Sequence, residues 1–375
     1  MIIPFHKTHT TNDEIDAAKS AIESGWLTMG PKTVEFENKF KLYLGCRESV
    51  SVNSATAALH LSLKAIGLQR DDEVIVPTNT FVATAEVVTY FDAIPVLCDI
   101  EKDTHNIDVS KIEALITKKT KVIIPVHFAG QPCDMDEIYQ LAKKYKLKVI
   151  EDAAHAIPSS YKDVKIGSLE GTDITCFSFY ATKTLSTGEG GMATTSNSDY
   201  AKNMKINRLH GISKDAWNRY TTKGSWYYEV VDNGNKYNTT DINSAIGIVQ
   251  LSKQEMLMNK RKDIANKYNN AFINNKDIVL PYIKSDRTTS WHLYVIKIKD
   301  RDEAIEQLKD LGIGCSVHFI PVHMHPYYKN KYNLKNEDYP IANEVFKKSL
   351  SLPIYPDMTN EEVDYVIKNI NKIIT

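Results

Sequence analysis

The chain of 375 residues lacks the features that mark several protein classes. Its five cysteines are far apart, odd in number and without a C-x-x-C pair, which argues against a disulfide framework or a zinc ribbon. No window approaches the roughly 20 apolar residues of a membrane helix, and the N-terminus lacks the apolar core of a signal peptide. We therefore expect a cytoplasmic protein with no membrane partner.

An excess of charge of one sign is also lacking. The formal net charge is -1, and basic residues such as Lys143 and Lys144 are scattered along the chain. Because a nucleic-acid surface normally shows a basic face, no nucleic-acid partner is expected. The G-x-G-x-x-G fingerprint of dinucleotide-binding folds is absent too.

Short apolar runs alternate with helical patterns from about residue 45 to 200. Strands are predicted at 49–53, 73–77, 94–99, 121–126 and 148–152, and helices at 55–66, 82–90 and 135–145. Buried strands separated by helices indicate an α/β fold with a mainly parallel sheet covered by helices. Ligands of such sheets bind beyond the carboxyl ends of the strands, where the sequence places Asn53, Pro77, Asp152 and Ser178.

The pattern changes after a long helix predicted from about Thr240 towards Ala271. A strand at 291–298, a helix at 302–311, a strand at 315–319 and a helix at 360–374 follow. The length allows one large domain and a smaller one. We predict a large domain of residues 1–255 and a smaller α+β domain of residues 256–375.

Lys183 stands out among the 46 Lys and Arg residues because of its surroundings. It follows Phe177-Ser-Phe and precedes Gly188-Glu-Gly-Gly191, in a stretch that is poor in other charges. Burial there lowers an amine pKa and favours attack on an aldehyde, so Lys183 is a candidate Schiff-base lysine. The alternative is that the glycines form only a tight turn.

Asp152 ends an apolar strand, and His155 follows it closely. A carboxylate at this place suits a protonated pyridine nitrogen, and an imidazole suits the phenolic oxygen of the same ring. Taken singly, such an Asp is more often a helix cap or ion-pair partner, and such a His is more often structural. With Lys183, the two residues indicate the aldehyde cofactor pyridoxal 5′-phosphate (PLP).

The segment Asn53-Ser-Ala-Thr-Ala-Ala58 joins a strand to the start of a helix. Its small side chains allow a phosphate to approach backbone N–H groups, where the helix dipole favours an anion. The alternative is an ordinary helix cap. The candidate phosphate-binding residues are Ser54, Ala55, Thr56 and Ala57. Phe81 is a candidate for stacking on the cofactor ring, although an apolar aromatic residue is by default part of the core.

Three histidines, His318, His323 and His325, raise the question of a metal. Their spacing matches neither H-E-x-x-H nor a zinc-finger pattern, and no Cys or acidic cluster joins them. We predict no metal site and interpret the segment as a loop that faces the substrate.

In their order along the chain, these segments resemble the DegT/DnrJ/EryC1/StrS family, the sugar aminotransferases with the type I fold of aspartate aminotransferase. The resemblance runs nearly end to end. It rests on Glu23–Pro31, Asn53–Ala58, Pro125–Gly130, Glu151–His155, Phe177–Gly191, Lys236–Ile242 and Ser316–Phe319.

This resemblance implies a role for each candidate. Lys183 forms the Schiff base, Asp152 partners the ring nitrogen, His155 contacts the phenolic oxygen, and Phe81 stacks on the ring. The positions that match phosphate contacts are Thr56, Ala57 and Ser178. Asn238 matches a residue that reaches the phosphate in the neighbouring subunit, which implies a homodimer with shared active sites. The substrate-pocket positions are Gly25, Trp26, Leu27, Thr28, Tyr180, Ser316, Val317, His318 and Phe319.

The resemblance also implies a reaction, in which L-glutamate loads the cofactor as pyridoxamine 5′-phosphate (PMP) and a nucleotide-linked keto sugar accepts the amine. Lys183 favours transamination, because dehydrating relatives have His there. Phe-Tyr-Ala-Thr-Lys183 followed by Thr-Gly-Glu-Gly-Gly191 resembles members that act at C4 of a 4-keto-6-deoxyhexose linked to UDP, dTDP or GDP. Trp226-Tyr-Tyr-Glu229 and the His-rich loop resemble bacterial enzymes of surface-polysaccharide synthesis. The alternatives are a sugar dehydratase or lyase with the same cofactor, a 3-keto sugar aminotransferase, and a regulatory protein that binds PLP without turnover.

Overall fold

The structure is a computed structural model that describes residues 1–213 and 227–374. The helices of these residues are α1 (Asn12–Glu23), α2 (Pro31–Leu44), α3 (Ala55–Ala65), α4 (Ala83–Thr89), α5 (Val109–Leu115), α6 (Met135–Tyr145), α7 (Ser198–Asn207), α8 (Asp241–Ser252), α9 (Gln254–Phe272), α10 (Arg301–Asp310), α11 (Pro326–Tyr332), α12 (Pro340–Lys348) and α13 (Asn360–Ile373). The strands are β1 (Glu48–Val52), β2 (Glu73–Pro77), β3 (Ile94–Cys98), β4 (Thr120–Ile123), β5 (Lys148–Asp152), β6 (Ser160–Tyr161), β7 (Val164–Lys165), β8 (Ile174–Ser178), β9 (Gly191–Thr195), β10 (Tyr294–Lys297) and β11 (Ser349–Leu352).

A seven-stranded sheet forms the centre of the molecule, in the order β1-β9-β8-β5-β4-β2-β3. Six strands run in one direction, and β9 alone is antiparallel to its neighbours β1 and β8. The predicted α/β class with a mainly parallel sheet is confirmed. Because β5 and β8 are neighbours, the residues at their carboxyl ends, Asp152 and Ser178, lie at the same edge of the sheet.

Helices cover both faces of this sheet. On one face α3 and α4 contribute Leu59, Leu63 and Val87 to a buried cluster, and on the other α2 and α6 contribute Phe40 and Ile138 to a second cluster. Strands that are covered on both faces are rich in apolar residues, which is why runs such as those of β2 and β5 are visible in the sequence.

A third buried cluster belongs to the C-terminal part of the chain, where β10 and β11 pair and α9, α10 and α13 pack around them. Packing also crosses the predicted boundary at residue 255 in both directions. Ile3 belongs to this third cluster, whereas Val322 and Val345 belong to the first. The division into 1–255 and 256–375 stays a prediction.

Two predictions of local structure are wrong. The long helix predicted from Thr240 is interrupted at Lys253, whose Nζ donates hydrogen bonds to Glu14. The strand predicted at 315–319 is only an isolated bridge between Ser316 and Ser351.

The polar groups of that segment find other partners. The N–H of Phe319 donates to Asn79 Oδ1, and His318 Nδ1 shares a hydrogen bond with Ser351 Oγ at 2.9 Å. Trp226 of the predicted insertion lies outside the described residues. No helix in residues 1–213 or 227–374 is long and apolar enough to cross a membrane.

Candidate active site

A cavity of about 480 Å³ opens at the carboxyl edge of the large sheet. It lies between the ends of β5 and β8 and the segment that carries His318. Of the residues predicted from the sequence, those that line it are Ser54, Ala55, Thr56, Phe81, Asp152, His155, Ser178, Tyr180, Lys183, His318 and Phe319. Segments that are distant in sequence therefore meet in one cavity.

Lys183 reaches this cavity from the loop that follows β8, where its backbone N–H donates to Tyr180 O at 2.9 Å. Burial lowers the pKa of the Lys183 amine to about 8, and the nearby Asp152 carboxylate opposes that change. A larger fraction of this amine is therefore neutral at physiological pH than for an exposed lysine. A neutral amine is the form that attacks an aldehyde.

Asp152 is a buried carboxylate at the end of β5. Its Oδ2 accepts a hydrogen bond of 2.8 Å from Thr84 Oγ1, and its Oδ1 accepts one of 3.1 Å from the Ala154 N–H. Burial raises the pKa of Asp152, whereas these hydrogen bonds and Lys183 lower it. A carboxylate in such a place is stabilised by a cation, and a protonated pyridine nitrogen supplies one.

Aromatic rings form the wall beside Asp152. His155 is stacked with Phe319, with ring centroids 5.8 Å apart, and burial takes the pKa of His155 well below its usual range. Phe81 is 61% exposed, and its ring lies 6.1 Å from that of Phe319. Phe81 is therefore not a core residue. A flat ring placed against these side chains fits the cavity.

The start of α3 forms the opposite end of the cavity. Ser54 caps the helix by accepting a hydrogen bond of 3.1 Å from the Ala57 N–H, so the capping interpretation holds. The same helix turn lines the cavity, so the cap and the phosphate interpretation are compatible. A Cβ on Gly191 of β9 would lie 2.5 Å from the carbonyl carbon of Ser54, so only glycine permits this close approach of β9 to the helix start.

Comparison with known proteins identifies the family. The DegT/DnrJ/EryC1/StrS aminotransferase family model matches residues 8–371. The chain belongs to this family. This aminotransferase is 49% identical over 369 residues to the uncharacterized protein MJ1066 of Methanocaldococcus jannaschii, covering 97% of this chain and 95% of that protein.

Two further relatives carry information about function. The spore coat polysaccharide biosynthesis protein SpsC of Bacillus subtilis is 45% identical over 379 residues, covering 99% of this chain and 97% of that protein. A Streptococcus pneumoniae protein assigned as a sugar aminotransferase, in its PMP form, superposes with a TM-score of 0.94 at 36% identity, covering 99% of this chain and 98% of that one. The same protein is known in a PLP form.

The aminotransferase is thus a sugar aminotransferase, and its cofactor is PLP. The cavity fits that cofactor on its own residues. It holds a lysine amine of lowered pKa, a buried carboxylate with room for a cation, and a helix N-terminus suited to a phosphate.

Some of the site residues that the sequence predicts do not line this cavity. The side chain of Ala57, in the first turn of α3, is buried, and Ser316 and Val317 do not line the cavity. Neither Asn238 nor the segment Gly25, Trp26, Leu27 and Thr28 lines it. Asn238 and the segment Gly25–Thr28 lie near each other, because Thr28 forms an isolated bridge with Thr240, two residues after Asn238.

The His-rich segment 318–325 divides into two roles. His318 lines the cavity, whereas His323 is buried between Thr78 Oγ1, at 2.7 Å, and Asn343 Oδ1, at 2.9 Å. His323 thereby holds the segment on the end of β2. Among the described residues no group of three or more His, Cys, Asp or Glu side chains is arranged to hold a metal.

Sequence reasoning missed several residues that line the cavity or support it. Thr84 lies in the same segment as Phe81, which was the available signal, but its hydrogen bond to Asp152 joins residues that are 68 positions apart. Glu189 lies within the glycine run next to Lys183 and lines the cavity. His292 also lines it, but nothing in the residues around His292 points to this place.

Proposed function

We propose that this enzyme moves the amino group of L-glutamate to C4 of a nucleotide-linked 4-keto-6-deoxyhexose, with UDP, dTDP or GDP as the nucleotide. The observation that carries the proposal is a lysine, not a histidine, at position 183 in the cavity that holds Asp152. A lysine amine both bonds to an aldehyde and moves protons. The name of the Bacillus subtilis relative supports a role in the synthesis of a surface polysaccharide or glycan.

Each residue of the cavity has a task in this proposal. Asp152 keeps the ring nitrogen protonated, His155 contacts the phenolic oxygen, and Phe81 lies against the ring. The phosphate is bound by the start of α3, with Thr56, Ala57 and Ser178 as its contacts. The chemistry that bound PLP supplies is an electron sink for the carbon from which a proton is taken.

In this proposal, the amine of Lys183 transfers protons between carbon atoms. Since the pKa of its amine is lowered to about 8, Nζ can accept a proton from a carbon and return it to another one nearby. A more basic amine would stay protonated at neutral pH and would be a poor acceptor. The nearby carboxylate of Asp152 keeps the amine pKa from falling further.

We also propose a homodimer with shared active sites. Asn238 contacts the cofactor phosphate of the neighbouring subunit, and Gly25–Thr28 contributes to that subunit's sugar pocket. The bridge between Thr28 and Thr240 supports this, because it places both segments on one surface outside the cavity of their own chain. Tyr180, His318 and Phe319, which line the cavity, form the sugar pocket from the subunit that holds Lys183, and Ser316 and Val317 precede them in the same segment. All five cysteines are free, which fits our proposal of a cytoplasmic enzyme.

A panel of keto sugars tests the proposal. The purified enzyme with PLP and L-glutamate is offered nucleotide-linked 4-keto and 3-keto sugars, and the products are identified by mass spectrometry. We expect an amino sugar from a 4-keto substrate and none from the Lys183→Ala variant. A 3-amino product would contradict the C4 assignment. A product that has lost a hydroxyl without gaining nitrogen would indicate a dehydratase, and binding of PLP without any turnover would indicate a regulatory protein.

A further inference from the structure

A second imidazole lies directly beside His155. His292 is 6% exposed and lines the same cavity as Lys183. The ring centroids of His155 and His292 are 4.3 Å apart, with 45° between the ring planes. His292 comes from the C-terminal part of the chain, so this contact joins the turn after β5 to the segment that precedes β10.

Ser290 fixes the position of His155 relative to His292 by hydrogen bonds to the backbone of both residues. Ser290 Oγ donates a hydrogen bond of 2.5 Å to the carbonyl oxygen of His155 and accepts one of 3.3 Å from the N–H of His292. The N–H of Ser290 donates to Ser159 Oγ at 3.0 Å. A Cβ on Gly130 would lie 2.0 Å from Ser290 Oγ, so Gly130 leaves the space that this arrangement requires.

Both histidines have an unsatisfied buried atom. Nδ1 of His155 and Nδ1 of His292 have no hydrogen-bond partner within residues 1–213 and 227–374. An unpaired buried polar atom costs about 1–3 kcal/mol, so such atoms are uncommon unless a bound group satisfies them. These two Nδ1 atoms are buried from the cavity as well, so the nitrogen that each ring can present to a bound molecule is Nε2.

The charge state of the pair follows from its surroundings. Burial is the main cause that takes the pKa of His292 well below its usual range, as it does for His155. His292 is also faced by His155, Lys183, Arg261 and His318, and each of these groups lowers its pKa further. Both rings are therefore neutral at physiological pH, and each offers one N–H donor and one acceptor nitrogen.

We propose that His292 is a further residue of the cofactor site, which acts together with His155 on the polar edge of the PLP ring that carries the phenolic oxygen. This inference rests on the proposed placement of that oxygen against His155. Two neutral imidazoles provide one donor for the oxygen and a second nitrogen for a neighbouring polar atom. Such a pair sets the ionisation of the bound ring without adding a charge to the cavity.

The test uses the visible absorbance of the PLP-loaded enzyme, titrated with pH, and the PLP affinity measured by fluorescence. His292→Phe keeps an aromatic ring in place but removes both nitrogens. We expect it to shift the pH midpoint of the absorbance band by about one unit and to weaken PLP binding about tenfold. His155→Phe should give similar changes, and the double variant should change little more than either single variant.

The matched control is His105→Phe. His105 is buried, also has an unpartnered Nδ1 within the described part of the chain, and packs on Phe128, but it does not line the cavity. We expect a lower melting temperature for this variant and an unchanged midpoint. A wild-type midpoint in His292→Phe would overturn the inference, and so would shifts that simply add in the double variant. An unmodified enzyme without a PLP band would instead contradict the proposed function itself.

Discussion

At the scale of single residues, burial acts on two opposite charges in the same cavity. It lowers the pKa of Lys183 to about 8 and raises the pKa of Asp152. Each group therefore becomes easier to neutralise, and each opposes the change in the other. Thr84 and the Ala154 N–H favour the ionised carboxylate by donating to it. The ionised Asp152 is the form that can hold a protonated ring nitrogen.

Asp152→Asn should therefore reduce amino transfer strongly, by about 100- to 1000-fold in kcat, because the amide cannot stabilise a positive ring nitrogen. Thr84→Val is the matched milder change, since it removes one hydrogen bond and keeps the carboxylate, and it should cost about tenfold or less. Steady-state kinetics with glutamate and the keto sugar measure both. Equal losses in the two variants would contradict the proposed role of the carboxylate charge.

The amine of Lys183 gives a prediction about pH. Covalent capture of PLP by the cofactor-free enzyme requires the neutral amine, so its rate should rise with pH and level off above about pH 8. An ordinary lysine would give a rate that still rises towards its pKa of about 10.4. Stopped-flow absorbance after mixing with PLP gives the profile. A rate that keeps rising well beyond about pH 9 would show that Lys183 is not shifted by burial.

Residues differ in how far their roles can be predicted from the sequence. Lys183 and Asp152 have informative neighbours, a glycine run and an apolar strand, and the structure brings both to one cavity. His292 has no such neighbours. Its place depends on Ser290 reaching the backbone of His155, a contact between segments that are far apart in the chain.

At the scale of elements, the close approach of β9 to the start of α3 shapes the candidate phosphate site. Gly191 lies so near the backbone of Ser54 that any side chain would push strand and helix apart. The backbone N–H groups of the first turn of α3 would move with it. A phosphate site made of backbone groups depends on such spacing more than on side-chain identity.

Gly191→Ala should accordingly weaken PLP binding by about tenfold or more, which corresponds to about 1.4 kcal/mol. Gly45→Ala is a suitable control, because Gly45 has a φ of 79° and open space around its missing Cβ at the end of α2. That variant should lose about 1 kcal/mol of stability and keep its PLP affinity. Fluorescence titration and thermal melts distinguish the two effects. Wild-type affinity in Gly191→Ala would contradict a phosphate site at this position.

Elements with continuous apolar runs could be predicted well. Strands β2 and β5 and helix α6 have the predicted bounds. The strand predicted at 315–319 is wrong, because that segment has apolar alternation but uses its polar groups to bond to Asn79 and Ser351. Alternation alone does not reveal how far a segment pairs with the strand beside it, here a single bridge to Ser351 of β11.

At the scale of the whole molecule, the cavity is built from the part of the chain that forms the large sheet and from the C-terminal part. The end of β5 supplies Asp152, the loop after β8 supplies Lys183, and the C-terminal part supplies His292 and His318. The N-terminal segment connects the two parts. The Ile3 N–H donates to Gly312 O at 2.8 Å, and Thr8 Oγ1 donates to Ala181 O at 2.7 Å, close to Lys183. Such contacts between distant segments cannot be read from local sequence patterns.

The proposed homodimer is tested in solution. Sedimentation equilibrium should give a mass of about twice 42.4 kDa. Asn238→Ala should leave this mass unchanged and weaken PLP binding about tenfold, since it removes the proposed contact to the phosphate of the neighbouring subunit. A particle of one chain with full PLP affinity would contradict the shared active site.

The central claim, transfer of the glutamate amine to a sugar, is tested most directly by a two-step single turnover. PLP-loaded enzyme is treated with ¹⁵N-labelled L-glutamate, freed of small molecules, and then mixed with a nucleotide-linked 4-keto-6-deoxyhexose. We predict that glutamate bleaches the visible band and releases 2-oxoglutarate, and that the sugar restores the band and leaves as an amine carrying the ¹⁵N label at C4. A sugar product without the label would contradict this account.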